Sequence, residues 1–277
     1  MKRIAALTTV RNSPHFLHRW ISHYGALLGY ENLFVIFDGL DEALPKGCPH
    51  VNVLAFEHVH HSRSVGDKKR AERASDVAGD LFKTYDLVIG TDVDEFLVLD
   101  PNTGISLAAY LSDVEIPSCI SAIGLDVAQH LGIEGALNWD EPFLGQRGIC
   151  MISDRYTKAV VLGRPLRWGS GFHRVKGHGF SIDPNLFLFH FGSVDCKETE
   201  ARLADTERKA AGWGAHQNRR ISLTAEISAV EKFPTEDRLK SARSELSKPR
   251  SLIAWNKPRP LKSDRVVRIP ERFYGLV

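Results

Sequence analysis

The apolar run Leu87-Val88-Ile89, followed by Gly90-Thr91, leads straight into three carboxylates in four positions, Asp92, Asp94 and Glu95. Carboxylates held a few ångströms apart raise one another's pKa and destabilise a fold unless positive charge sits among them. A buried strand ending in such a group therefore delivers it to a cleft or a cation. Because strand residues i and i+2 share a face, Asp92 and Asp94 are expected to point the same way, with Glu95 offset in a supporting position. A solvated strand end is the plain alternative. The strand before the acids and the apolar Phe96-Leu97-Val98 after them favour the cleft. Hard carboxylate oxygens suit Mg²⁺ or Mn²⁺, which typically bridges one or two protein carboxylates to substrate phosphates.

The first half alternates strand and helix. Ile4 to Val10 is an apolar, β-branched run, and Ser13-Pro14 marks a helix start, with Ser as N-cap and Pro at N1. Phe16, Leu17, Trp20, Ile21, Tyr24, Leu27 and Leu28 follow at helical spacing up to Gly29. Strands are expected at Leu33 to Phe37, near Val51 to Phe56 and at Asp86 to Thr91, with a helix over Lys68 to Lys83. This order implies an α/β fold with a mostly parallel sheet flanked by helices, in which ligands bind beyond the carboxyl ends of the strands. Arg11 with Asn12, Asp38, and Asp92 with Asp94 all sit at such ends.

Further strands are expected at Cys119 to Leu125, Ala159 to Leu162 and Leu186 to Phe191, with a long, functional surface region from Asp126 to Arg155. From Lys197 onward helices dominate, and Pro249 to Pro260 marks an extended linker. Positions 1–195 are expected to form one α/β domain and 196–277 a helical, basic extension packed on it or appended to it. The net charge of +2 hides an asymmetry, since residues 219–277 carry 14 Lys/Arg against 7 Asp/Glu. Such a segment can face a phosphorylated acceptor or an anionic membrane, although a solvated basic face is the default. Cys48, Cys119, Cys150 and Cys196 are widely spaced without a Cys-x-x-Cys pair, so free thiols are expected. With no membrane span and no signal-peptide pattern, the expected location is cytoplasmic, or peripheral to the inner face of the membrane.

Val10-Arg11-Asn12, the helix from Phe16 to Gly29 and Asp92-Val-Asp94-Glu95-Phe96 together resemble the GT-A type glycosyltransferases, specifically a family 2-like group, over about residues 4–195. The chain departs from that group at Ser13, where Glu is usual. The resemblance implies a GT-A, Rossmann-like fold and a UDP- or GDP-sugar donor whose diphosphate rests on Mn²⁺ or Mg²⁺. The acceptor would be a glycan, free or lipid-linked, or another hydroxyl, as in bacterial polysaccharide or glycoconjugate synthesis; no nucleic-acid partner is implied. Metal ligands are expected at Asp92, Asp94 and the late His190, and donor contacts at Arg11, Asn12, Asp38, Lys68, Asp92, Lys158 and His173. Asp38 would meet the base or ribose.

For His190 in Leu188-Phe-His-Phe-Gly192, a satisfied core histidine is the competing reading. His173 lies in Gly169-Ser-Gly-Phe-His-Arg174, where the glycines permit close backbone approach to a phosphate or sugar. Lys158 and Arg167 are candidates for the diphosphate. An inverting transfer also needs a carboxylate base; Asp126 is the choice by position, with Glu134, Asp140, Glu141 and Asp154 as rivals. His58, His60 and His61 lack an accompanying ligand set for a metal. Two other functions compete: a degenerate module that binds sugar nucleotides without turnover, and a metal-dependent phosphohydrolase, which usually carries Thr where Phe96 stands.

Overall fold

The structure, a computed structural model, describes residues 1–204 and 214–277. Strand β1 (Ile4–Val10) is buried almost throughout and runs into helix α1 (Pro14–Leu28). Pro14 opens the helix as expected, but Ser13 caps through its carbonyl, which accepts from Leu17 N–H at 3.0 Å, while its side chain makes no capping bond. The buried stripe of Phe16, Leu17, Trp20, Ile21 and Tyr24 faces the sheet. Two polar contacts fix its register: Trp20 Nε1 donates to Thr91 Oγ1 at 2.9 Å, and Tyr24 Oη accepts from Leu97 N–H at 2.8 Å. Gly29, at φ +90°, turns the chain where a side chain would be strained.

Strands β2 (Leu33–Asp38) and β3 (Asn52–Phe56) follow, then helix α2 (Arg63–Leu81) and strand β4 (Leu87–Asp92). Helix α2 starts five residues before the expected Lys68, because its sheet-facing contacts are small alanines, Ala71, Ala74 and Ala78, that give little apolar periodicity. β1 pairs parallel with β2 and β4, and β2 with β3. Helix α1 packs on one sheet face, with Ala6 and Ile89, and α2 on the other, with Leu7 and Val88.

β5 (Glu95–Leu99) follows β4 after the two residues Val93 and Asp94, and α3 (Leu107–Asp113) leads into β6 (Cys119–Ala128). A short, kinked turn of helix, α4 (Phe143–Gln146), precedes β7 (Ile149–Ile152), β8 (Lys158–Leu162) and β9 (Ile182–Ser193). With β10 (Val266–Arg268), ten strands share one sheet in the order β10-β7-β6-β8-β4-β1-β2-β3, while β9 joins β6 and β5. β8 pairs antiparallel with β4, and β9 runs parallel to β6 and antiparallel to β5. The result is a large α/β sheet flanked by helices, with its parallel strands β1, β2, β3 and β4 side by side.

Two expectations need correction. The stretch from Asp126 to Arg155 is no open surface region: it holds β7 and buries Phe143, Leu144 and Arg147, whose Nε donates to Val194 O at 2.6 Å. Pro249 to Pro260 is no extended linker either, since a bridge between Pro249 and Pro258 closes it into a loop. Beyond residue 195 come α5 (Cys196–Ala204), α6 (Gly214–Ser228) and α7 (Glu236–Leu246). Leu223 and Ile227 of α6 pack on Ala128, Ile149 and Met151, and Leu239, Ala242 and Leu246 of α7 join the main core. All four cysteines are free thiols.

Candidate functional site

Parallel pairing brings three strand ends to one edge of the sheet, with Thr9 beside Asp92 and Val10 beside Phe37. Arg11 leaves β1 there and donates to Asp41 Oδ1 at 2.5 Å, with Glu42 Oε1 at 3.4 Å. Asn12, at φ +51°, gives its N–H to the same Glu42 oxygen at 2.9 Å. Asp38 closes β2 and is held between Arg70 at 3.4 Å, Arg73 at 3.5 Å and His58 at 3.4 Å. These two arginines come from the middle of α2, which supplies positive charge near Asp38. Lys68, on the same helix, is largely exposed and 4.0 Å from Glu72. Arg167 likewise pairs at the surface with Asp76 at 2.7 Å.

The acid turn divides its charges between two cations. Lys158, the first residue of β8, has a fully buried side chain, with Glu95 Oε1 at 2.6 Å, Asp92 Oδ2 at 3.1 Å and Gly171 O at 2.6 Å from its ammonium. The ammonium hydrogen-bonds Asp92 Oδ2 and Gly171 O, while Glu95 Oε1 meets it as a close ion pair. Burial lowers the pKa of Lys158, but Asp92 and Glu95 more than reverse this and raise it, so the lysine stays charged. The other Glu95 oxygen accepts the Asp92 N–H at 3.1 Å. Lys158, expected at a donor diphosphate, thus braces the acid turn from within, paired with Asp92 and Glu95.

Asp94 faces the other way. Its Oδ2 lies 3.5 Å from His190 Nε2 and 3.2 Å from an Arg220 guanidinium nitrogen, while His190 Nδ1 is 2.6 Å from Asp126 Oδ1. Burial pushes the His190 imidazolium down, but Asp126 and Asp94 overcome it and carry its pKa up to about 9. Tyr156 stacks on the ring, centroids 3.7 Å apart and planes 16° from parallel. Gly192 makes room for the cluster, since a Cβ there would come within 2.5 Å of both His190 Cε1 and the Arg220 guanidinium. The Gly171 loop reaches the same place through Lys158, and His173 is tied to Arg155 O at 2.8 Å through Nδ1. Burial, then the nearby Lys158 and Arg155, hold the His173 pKa well below its usual range, so its ring is neutral.

Asp92 thus meets Lys158, and Asp94 meets His190 and through it Asp126, while His173 bonds the Arg155 carbonyl; Arg11, Asn12 and Asp38 line the neighbouring strand ends and Lys68 stands outside on α2. Arg220 and Tyr156 carry no local signal in the sequence. The excess of Lys/Arg after residue 218 was the only hint of Arg220.

Of the three expected metal ligands, Asp94 and His190 lie 3.5 Å apart, and a cation on them would have to displace Arg220 from Asp94 and the Nε2 proton from the His190 imidazolium. His190 offers Nε2 beside Asp94 with Nδ1 fixed by a carboxylate, the usual way a metal-binding histidine is oriented. Asp92 is held by Lys158 instead, and among the described residues no group of three His, Cys, Asp or Glu side chains is arranged to hold a metal by itself. A cation on Asp94 and His190 would need phosphate and water oxygens to complete its shell, as Mg²⁺ commonly does.

No protein-family model matches the chain, and no curated protein does. One solved structure, that of CMP:2-keto-3-deoxy-manno-octonic acid synthetase complexed with CTP, is similar over 80% of this chain and 87% of its own at 10% identity, with a TM-score of 0.28. A likeness that loose carries no argument about activity. Among the described residues no helix is long and apolar enough to cross a membrane.

Proposed function

We propose that this chain transfers a sugar from a nucleoside-diphosphate donor to a hydroxyl acceptor, at the edge where β1, β2 and β4 end. The observation that carries this reading is the Asp94–His190–Asp126 chain beside the strand ends, in which the acid turn's Asp94 meets an imidazole oriented by a second carboxylate. Asp94 and His190 would hold Mn²⁺ or Mg²⁺ against the donor diphosphate, and the metal would supply neutralisation of the charge that grows on that leaving group. Asp126 orients His190. The chain's own remaining work is placement: Arg70 and Arg73 flank Asp38, where base or ribose would lie, and Lys158 fixes the acid turn. Transfer breaks the bond from the anomeric carbon to the diphosphate oxygen, which leaves with the bonding electrons, while the acceptor oxygen bonds that carbon and its proton passes to solvent water.

A second reading, a binding module without turnover, is favoured by Lys158 and Arg220 already neutralising Asp92 and Asp94. Release of UDP or GDP from UDP- and GDP-sugars with Mn²⁺ separates the two. Release that disappears in a folded His190→Ala variant supports transfer; donor binding without release across these donors supports the module.

A further inference from the structure

The loop between α7 and β10 combines features that the transfer site does not use. From Lys248 to Lys262 the chain carries Lys248, Arg250, Lys257, Arg259 and Lys262 and no acid. At the tip of this basic stretch Leu252 and Ile253 are 95% and 94% exposed, and Trp255 is 45% exposed beside them. Apolar side chains this open normally collapse onto a neighbour. Here the backbone holds them out: Arg250 N–H donates to Lys257 O at 3.0 Å, Lys257 N–H to Ala254 O at 3.1 Å and Arg259 N–H to Lys248 O at 2.8 Å. Asn256, buried at the base, pins the loop to the body by donating to Val175 O at 3.0 Å. Two further cations, Arg174 and Arg155, lie near its root, and with burial and Arg250 they lower the Lys257 pKa. Asp154 offsets part of this charge through an ion pair with Arg250.

We propose that this loop docks the protein on an anionic lipid bilayer, with Leu252, Ile253 and Trp255 entering the interface and the surrounding lysines and arginines resting on acidic headgroups. A narrow apolar point collared by cations suits the boundary between headgroups and acyl chains, where apolar residues sink, aromatic rings settle and Lys/Arg meet lipid charge. A flat protein partner would instead call for a broad apolar patch. Val175, which holds the loop, lies four residues from Gly171, the partner of Lys158, so the docked face and the acid turn are linked by one short segment.

The test is co-sedimentation of the full chain with phosphatidylcholine vesicles and with vesicles that also contain phosphatidylglycerol. Binding is expected to the anionic vesicles only, to weaken as salt rises, and to shift the tryptophan emission to the blue in the wild type but not in Trp255→Phe. The surface double substitution Leu252→Ser with Ile253→Ser should lower partitioning about tenfold or more, and Lys248→Ala about fivefold, with circular dichroism unchanged. No sedimentation with anionic vesicles would overturn the proposal, as would binding unaffected by the Leu252 and Ile253 changes, or self-association through the tip in place of lipid binding. Vesicle binding needs no nucleotide sugar, so its outcome is independent of the transfer reading.

Discussion

Lys158→Met removes a buried ammonium of similar length and leaves its oxygen partners in place. Glu95 has a fully buried side chain and takes most of the damage; the Asp92 side chain is 38% exposed and can be partly rehydrated. Breaking a buried ion pair by removing one partner costs about 3–5 kcal/mol. For a chain of this size a loss of 1 kcal/mol lowers Tm by roughly 2 °C, so the expected drop is about 6–10 °C. The pH dependence identifies the cause. Burial already pushes Glu95 up to about 7, against the pull of Lys158, and without the lysine it rises further. An acid whose folded pKa lies above its unfolded value binds extra protons when folded, so its contribution falls as pH climbs from about 4.5 towards the folded pKa. The defect should therefore be larger at about pH 8 than at about pH 5, and Lys158→Met with Glu95→Gln should recover most of it. Differential scanning calorimetry reads all three. A shift of less than about 2 °C, or one that is equal at both pH values, would refute the idea that Lys158 is the brace of the acid turn.

Two other outcomes follow from named contacts. Asp126→Asn should weaken Mn²⁺ binding in the presence of UDP about 10–100-fold, as loss of a histidine-orienting carboxylate typically does; a loss of turnover with Mn²⁺ affinity unchanged, read by calorimetric titration, would return Asp126 to the role of base. His23, half-buried beside Leu97 O at 3.0 Å, has its pKa lowered by burial from 6.5 to about 4. The unfolded chain then binds a proton that the folded chain refuses, so stability present above about pH 6.5 falls by about 3 kcal/mol on the way down to about pH 4. Urea unfolding across that range should show the slope, and His23→Gln should flatten it.

What could be read along the chain was whatever depends on local order. Ser13-Pro14, the apolar stripe of α1 and Gly29 gave that helix its bounds, and the β-branched runs of β1, β2 and β4 gave the parallel half of the sheet. β5 was missed because only Val93 and Asp94 separate it from β4, so Glu95 to Leu99 reads as a continuation of the same motif. The early start of α2 was hidden by its alanines. In the site, Asp92, Asp94 and His190 stood out because charge or a polar ring interrupts an apolar run. The cationic partners did not: Arg220 lies 126 residues from Asp94, and Lys158 lies 66 from Asp92. Only the tertiary fold decides which basic side chain meets which acid.

Calorimetric titration of UDP and GDP into the wild type and Asp94→Asn, each with Mn²⁺ and with EDTA, addresses the metal-bridged diphosphate most directly. The wild type should bind one of the two nucleotides about tenfold or more tightly with Mn²⁺ than with EDTA, and Asp94→Asn should lose that difference. Equal wild-type affinity in Mn²⁺ and EDTA would contradict it.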